Sequence, residues 1–417
     1  MTTLKNKTAL VWDYALFCPV AEKLAEGFSK VYYYNATRKG WPRHNDGVVG
    51  QGIEGVEVTQ DPWAIIDDVD CIVFPDVHDG GLVDWLRDKG YIVYGIGGAE
   101  KLEGSRWEFR QRQRELGMPT PTTSHIVGVD SLRKHIVEAN KQLYIKLISW
   151  RGDQETFKVD NYATSKQRLD RLEADLGEGA KLVEFVVEEP IDEAVEVGYD
   201  GFVVDGKLPK LAAYGYEMKD CGYLGVVAPF ASFPKPIRWT TERVVSLLAE
   251  ARGSFSTELR VTKSKPYLID PTFRHPSPPY EVMLEAYQDV PQMYWNIANG
   301  IMPEPEAKGQ YLAQLVLRSP SFQKDWIPVE YPREIANFVK IHNMAKLDGK
   351  VYAVPSPGVE MNEFGGVVAV ADTMEEAIGL VKERLEQIKA PDLDTDTTAM
   401  DKAEETVARG KEFGISF

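Results

Sequence analysis

The sequence predicts a mixed α/β and α+β protein. Its parts are a small Rossmann-like parallel α/β domain, a larger domain carrying an inserted α+β lobe, and a small α+β domain near the C-terminus. Three observations carry this expectation. The first hundred residues alternate short apolar runs with helix-like stretches. A charged amphipathic segment then stops at Gly117, with Pro119 and Pro121 close behind. Beyond residue 305 a new set of strand-like runs closes on one strong amphipathic helix.

In the first part, KTALVWDY, KVYYYNA, VDCIVFPD and YIVYGIG are runs rich in Val, Ile and Tyr, and VAEKLAEGF and GGLVDWLRDKG lie between them as helices. Apolar runs without alternation suit strands buried on both faces, so residues 1–102 are assigned to a parallel sheet domain. Residues 103–305 form the larger domain. Within it, about 120–190 is the inserted lobe: the helix SLRKHIVEANKQ, the strand LYIKLI, the turn-rich WRGDQETFKV, the helix SKQRLDRLEADLG and the strand KLVEFVVEEPI. AVEVGYDGFVVDGKL, KLAAYGY, the helix TTERVVSLLAEAR and the pair STELRVT and PYLIDPTFR complete the domain. QYLAQLVLRS, KVYAVPSPG, GGVVAVA and the helix TMEEAIGLVKERLEQI make a C-terminal unit over 306–390. Residues 391–417, acidic and polar up to a short helix, read as a loosely attached tail.

The 417 residues suit two to four domains, and 43% hydrophobic with 27% charged residues is a globular profile. No apolar run approaches the length of a transmembrane helix, and MTTLKNKTALVWDY carries no signal-peptide pattern. Cys18, Cys71 and Cys221 are odd in number and form no CxxC, which argues against a disulfide framework or a zinc site; the expected compartment is a reducing cytoplasm. The net charge of −16 weighs against nucleic acid and anionic membranes as partners, but not against a small anion held by local cations and a metal ion.

Three groups of residues could carry chemistry. Arg106 opens a helix after Gly104-Ser105, and Lys146 lies inside the apolar strand YIKLI. A lysine there either meets an anion or runs along a sheet edge to water; the sequence leaves both readings open. The second group, Glu188, Glu189, Ile191 and then Glu196, follows a strand, where backbone groups can read a base edge and a carboxylate can accept from ribose hydroxyls. The alternative is a solvated acidic loop. The third group is Glu258 on one strand with Asp270, Thr272 and Arg274 at alternate positions on the next. If the strands pair, their oxygens suit Mg²⁺ beside a phosphoryl group; the alternative is a surface salt-bridge strand. No Walker sequence, HExxH, CxxC or serine-nucleophile elbow occurs, and GIGG at 95–98 opens no dinucleotide fingerprint.

In order and spacing, YGIGGAEKLEGSRWEFRQRQRELGMPTPTT, LYIKLISWRGDQETFKV, LVEFVVEEPIDEAVEV and TELRVTKSKPYLIDPTFR resemble the ATP-grasp superfamily. Within it they most resemble the glycinamide ribonucleotide synthetase (phosphoribosylamine–glycine ligase) family, over most of residues 1–390. The resemblance implies an ATP-grasp fold with a pre-ATP-grasp domain, a lid lobe and a small C-terminal domain. It implies Arg106 and Lys146 as phosphate-binding cations; Glu188, Glu189 and Ile191 as the adenine hinge; Glu196 as the ribose acid; Glu258, Asp270 and Thr272 as metal ligands; and Arg274 as the arginine that steadies the transferred phosphoryl group.

The departures are local. The phosphate-covering stretch SWRGDQET holds one glycine, Gly152, where the family is glycine-rich, and Arg151 could supply the missing contacts. VWDYALFCP stands without glycine where the synthetase has a second phosphate loop, and Thr272 replaces the usual asparagine. The implied activity is an ATP- and Mg²⁺-dependent ligase joining a small-molecule carboxylate to an amine through an acyl phosphate. The alternatives are a silent nucleotide-binding or structural protein, and a carboxylate–thiol ligase. Asp13, Asp76, His78 and Asp79, in loops after N-terminal strands, are candidates for the acceptor side.

Overall fold

The computed structural model describes residues 4–36, 48–148, 156–218, 221–355 and 362–417. Four sheets organise them. The N-terminal sheet has the order β3-β2-β1-β4-β5, with β1 (Thr8–Asp13), β2 (Lys30–Asn35), β3 (Val56–Val58), β4 (Cys71–Val73) and β5 (Val93–Tyr94) all parallel. Its central strand is covered on both faces, and Ala9, Leu10 and Val11 of β1 are all fully buried, whereas the edge strand β3 leaves Glu57 exposed.

The lobe is a four-stranded sheet, β6 (Thr123–Val127), β9 (Glu184–Glu188), β7 (Leu143–Leu147) and β8 (Thr156–Val159), in that order. Helices Val129–Ala139 and Tyr162–Leu176 pack on it around a core of its own that includes Leu132, Ile136, Ile145, Leu169 and Phe185. Asn161 caps the second helix by accepting from the Thr164 N–H at 3.1 Å. The helix Arg106–Glu115 leads into the lobe and ends before Gly117, whose φ of +68° is open to glycine without a side-chain penalty.

The third sheet is antiparallel and eight-stranded: β14 (Pro266–Thr272), β13 (Arg252–Val261), β10 (Val195–Val204), β11 (Leu211–Met218), β12 (Gly222–Pro229), β15 (Tyr311–Arg318), β20 (Glu363–Ala371) and β17 (Val339–Ile341). Backbone pairing therefore runs unbroken from the 195–272 strands into those of the 306–390 region. A small sheet of β16 (Ile327–Val329), β19 (Lys350–Ala353) and β18 (Met344–Leu347) sits beside it. The N-terminal sheet is tied to this frame through its strand ends: the Gly95 N–H donates to Arg252 O at 2.7 Å, His275 N–H to Pro75 O at 3.0 Å and Cys18 N–H to His342 O at 3.2 Å.

The C-terminal segment differs from the loose tail expected of it. Helices Thr398–Asp401 and Ala403–Glu412 dock through Met400, Ala403 and Val407, with Ile415 buried beyond them; the Tyr214 hydroxyl donates to Ser416 O at 2.7 Å, and Phe417 packs on Tyr214 and Tyr216. Its few apolar residues are scattered through an acidic run, so their common face forms only once the helices do.

Candidate active site

Lys146 faces inward from the middle of β7, 6% exposed, between β8 and β9. Its ammonium donates to Ile269 O at 3.1 Å and to Asp270 Oδ2 at 3.2 Å, and lies 3.6 Å from Glu188 Oε2. A buried ammonium is costly without such partners, so the strand position and its acids come as one unit. Arg106 approaches Asp270 from the other side: its Nη1 donates to Leu147 O at 2.8 Å, and its Nε is 3.7 Å from Asp270 Oδ1.

One turn on, Arg110 is 3% exposed and grips both oxygens of Glu188, with Nε at 2.5 Å and Nη2 at 3.1 Å. It also donates to Leu268 O and Ile269 O, at 2.9 and 2.7 Å, fastening the lobe to β14. Burial would raise the Glu188 carboxyl, but Lys146 and Arg110 outweigh it and hold it below the usual range.

The two strands expected to pair do so, with Glu258 opposite Asp270 and a register shift just beyond. Asp270, Thr272 and Arg274 alternate with buried Pro271 and Phe273, as the spacing required. The two acids have opposite electrostatics. At Asp270 burial pushes the carboxyl up, yet Lys146, Arg106 and Arg110 bring it down to about 2. Glu258 is raised well above its ordinary value, first by burial and then by Glu217, Glu196 and Asp270. Glu217 on β11 is raised too, by burial, Asp200, Glu196 and Glu363, with Arg274 opposing. Oxygen donors gathered on one face of the hairpin are a ligand type that fits Mg²⁺, with Glu258, Asp270 and the Thr272 hydroxyl as the candidates.

Arg274 turns toward the N-terminal strand ends: its Nε is 3.0 Å from Glu103 Oε1 and 3.7 Å from Asp76 Oδ1, and its Nη1 donates to His275 O at 2.9 Å. Glu103 also accepts the Phe273 N–H at 2.6 Å, which fixes the strand end that carries Arg274. After β1, Asp13 accepts from the N–H groups of Tyr14 at 2.6 Å and Phe17 at 2.9 Å, and from the Tyr33 hydroxyl at 2.5 Å. The loop without glycine thus satisfies its amides with its own carboxylate, which burial raises to about 6. Glu100 closes the neighbouring loop by accepting from the His78 and Gly80 N–H groups at 2.8 and 2.7 Å, and burial followed by the charges of Asp79 and Glu103 raises it to about 7.

At the end of β9, the Glu188 side chain is committed to Arg110, and Glu189 pairs with Lys141 at 2.7 Å while its N–H donates to Thr122 O at 3.1 Å. A cavity of about 420 Å³ lies here, lined by Glu189, Ile191, Asp192, Thr262 and Tyr267 among others. Lys146, Glu258 and Asp270 do not line it, so it flanks the charged cluster. Glu196 lies on β10, 3.8 Å from Arg260 Nη1 and hydrogen-bonded to Glu258, on the acid face of the sheet. Arg151 falls outside the described residues.

Sequence reasoning missed Arg110 and Glu217. Arg110 had a readable signal: with Arg106 and Gln113 it makes an i, i+4, i+7 polar stripe on the face that also carries Phe109. Glu217 had none, because its meaning comes from lying beside β10, whose partner strands are distant in sequence.

A cationic lobe strand folded over an acidic hairpin, with a parallel sheet behind, is the ATP-grasp fold, and solved structures of that class align along nearly the whole chain. Phosphoribosylamine–glycine ligase from Thermotoga maritima is 16% identical with a TM-score of 0.69, covering 93% of this chain and 98% of its own. The biotin carboxylase domain of 2-oxoglutarate carboxylase from Hydrogenobacter thermophilus, solved with MgADP, ADP and bicarbonate, is 13% identical with a TM-score of 0.69 and 99% coverage of both chains. The L-amino acid ligase of Bacillus licheniformis is 14% identical with a TM-score of 0.58, covering 95% of this chain and all of its own. No protein-family model matches the chain, and no curated protein matches it in sequence. Among the described residues no helix is long and apolar enough to cross a membrane.

Proposed function

We propose that the protein is an ATP-dependent carboxylate–amine ligase working through an acyl phosphate. The observation that supports this best is the meeting of Lys146 and Arg106 with Asp270 and Glu258 where the lobe faces the β13–β14 hairpin. Lys146 and Arg106 take up the nucleotide phosphates, exchanging part of their contact with Asp270 for phosphoryl oxygens. The hinge around Glu188, Glu189 and Ile191 reads adenine, and Glu196 the ribose. Glu258, Asp270 and Thr272 hold Mg²⁺, which when bound neutralises phosphate charge.

Arg274, joined to Glu103 and Asp76, steadies the transferred phosphoryl group while a carboxylate oxygen of the acid substrate attacks the γ-phosphorus and ADP leaves. An amine then attacks the acyl carbon and phosphate departs. The lobe excludes the water that would hydrolyse the intermediate. Catalysis is positioning and charge neutralisation, which a preorganised set of ions supplies without rearrangement.

The test is calorimetric titration with a non-hydrolysable ATP analogue, with and without Mg²⁺, on the parent and on Lys146→Ala, followed by a screen of acids and amines for ADP release. Mg²⁺-dependent binding that Lys146→Ala removes, together with amine-dependent ADP release, supports the reading. Binding without turnover by any acid–amine pair would favour a silent nucleotide-binding protein, and thiol-dependent release would favour the thiol ligase.

A further inference from the structure

The helix Tyr280–Ala286 carries two glutamates one turn apart, and the fold treats them differently. Glu285 is surrounded by three lysines: Lys23 at 2.7 Å, Lys340 at 2.8 Å and Lys308 at 3.1 Å. Glu281 is fully buried and, among the described residues, meets neutral donors and one imidazole. Ser277 Oγ donates to its Oε1 at 3.1 Å, Gln314 Nε2 to its Oε2 at 2.8 Å, and His342 Nε2 lies 2.7 Å from Oε1. Glu363, the first residue of β20, brings a second carboxylate, so that ligand atoms of Glu281, His342 and Glu363 all lie within 4.8 Å of one another. Among the described residues this is the one place where three such side chains converge so closely. His342 is 3% exposed, and its Nδ1 has no hydrogen-bond partner.

We infer that Glu281, His342 and Glu363 form a binding site for a divalent transition-metal ion, separate from the nucleotide's magnesium. An imidazole with two carboxylates is a donor set for zinc, manganese or cobalt, whereas hard magnesium prefers oxygen alone. Two ligands on one ion at about 2.0–2.2 Å sit roughly 3 Å apart, close to the His342–Glu281 separation. The ion takes the place of the Nε2 proton of the imidazolium that faces Glu281: that proton is released to solvent, and the neutral ring keeps its other proton on Nδ1. Gln314 and Ser277 fix the Glu281 carboxylate from behind, as supporting residues of metal sites do. The three ligands come from a helix after β14, the residue following β17 and the start of β20, so the ion pins the C-terminal strands to the segment that follows Arg274.

Cobalt(II) is the probe, added to the full chain without nucleotide or magnesium. The expected result is one equivalent bound, with visible absorption bands and a raised Tm. Binding weakens by about tenfold or more in His342→Gln and in Glu363→Gln, and is unchanged in Asp270→Asn. Circular dichroism checks folding, and if His342→Gln does not fold, the half-buried Glu363→Gln decides. Absence of the bands, their survival in the variants, or their loss in Asp270→Asn would overturn the inference. None of these readouts depends on the proposed ligase activity.

Discussion

Glu285, buried, and Glu258, half-buried, belong to the same framework and meet opposite surroundings. Three lysines from three separate segments enclose Glu285. Burial pushes its carboxyl up, but Lys340 and Lys23 prevail and leave it at about 2. Glu258 faces Glu217, Glu196 and Asp270, and burial with those charges raises it well above the usual range. The first arrangement is complete as it stands and fastens helix Cys18–Ala25 and β17 to helix Tyr280–Ala286. The second gathers carboxylates on one face of the sheet, the arrangement on which the proposed metal site rests.

The comparison breaks most readily at Glu285. Glu285→Ala takes the shared carboxylate from two buried lysines, Lys23 and Lys340, and should cost about 3–5 kcal/mol, read by urea unfolding. A loss below about 1 kcal/mol would show that water already reaches the lysines. Lys146→Ala should lower ADP release by about 10²–10³-fold while leaving the fold intact, checked by a phosphate-release assay beside circular dichroism. Activity close to the parent's would remove Lys146 from the proposed site.

The pH dependences have opposite signs. Glu285 is depressed, so its contribution is present above its unfolded pKa and disappears as pH falls toward 2. Glu258 is raised, so its folded form keeps a proton that the unfolded chain loses, and stability falls as pH rises from about 4.3 through the folded value. Glu258→Gln should therefore be more stable than the parent by roughly 1 kcal/mol at pH 8, yet lose Mg²⁺-dependent nucleotide binding. A variant less stable than the parent at pH 8 would mean that Glu258 is ionised and already paired. The smallest expected effect is at Thr272: Thr272→Ala should weaken Mg²⁺-nucleotide affinity by roughly 1 kcal/mol in titration calorimetry, with stability unchanged.

Much of the candidate site was legible because its signals were local. The alternation of Asp270, Thr272 and Arg274 with Pro271 and Phe273 is a property of five consecutive residues, and it survives at the end of β14 and just beyond it. Lys146 stood out because an ammonium amid Tyr144, Ile145 and Leu147 is anomalous on composition alone, although its inward direction was open until the lobe's strand order was known. Where the sequence was silent, the relevant distance was long. Glu217 joins Glu258 across β10. Asp13 stands in for an external anion in its own loop, which shows only in the direction of its amides. The docking of Met400, Ile415 and Phe417 onto β11 and β12 spans some two hundred residues.

By itself the sequence determined the succession of elements, the strand–helix alternation at the N-terminus, the insertion of a lobe, and the residue types that could meet phosphate and metal. These follow from periodicity and from side-chain chemistry, which act over a few residues. Only the tertiary structure decided that the 311–371 strands continue the central sheet, that Arg110 locks Glu188, and that Glu285 is met by lysines while the half-buried Glu258 is left among acids. The physical reason is that a charge takes its meaning from what surrounds it at about 3–4 Å, and in an interior assembled from distant segments those neighbours are set by the fold.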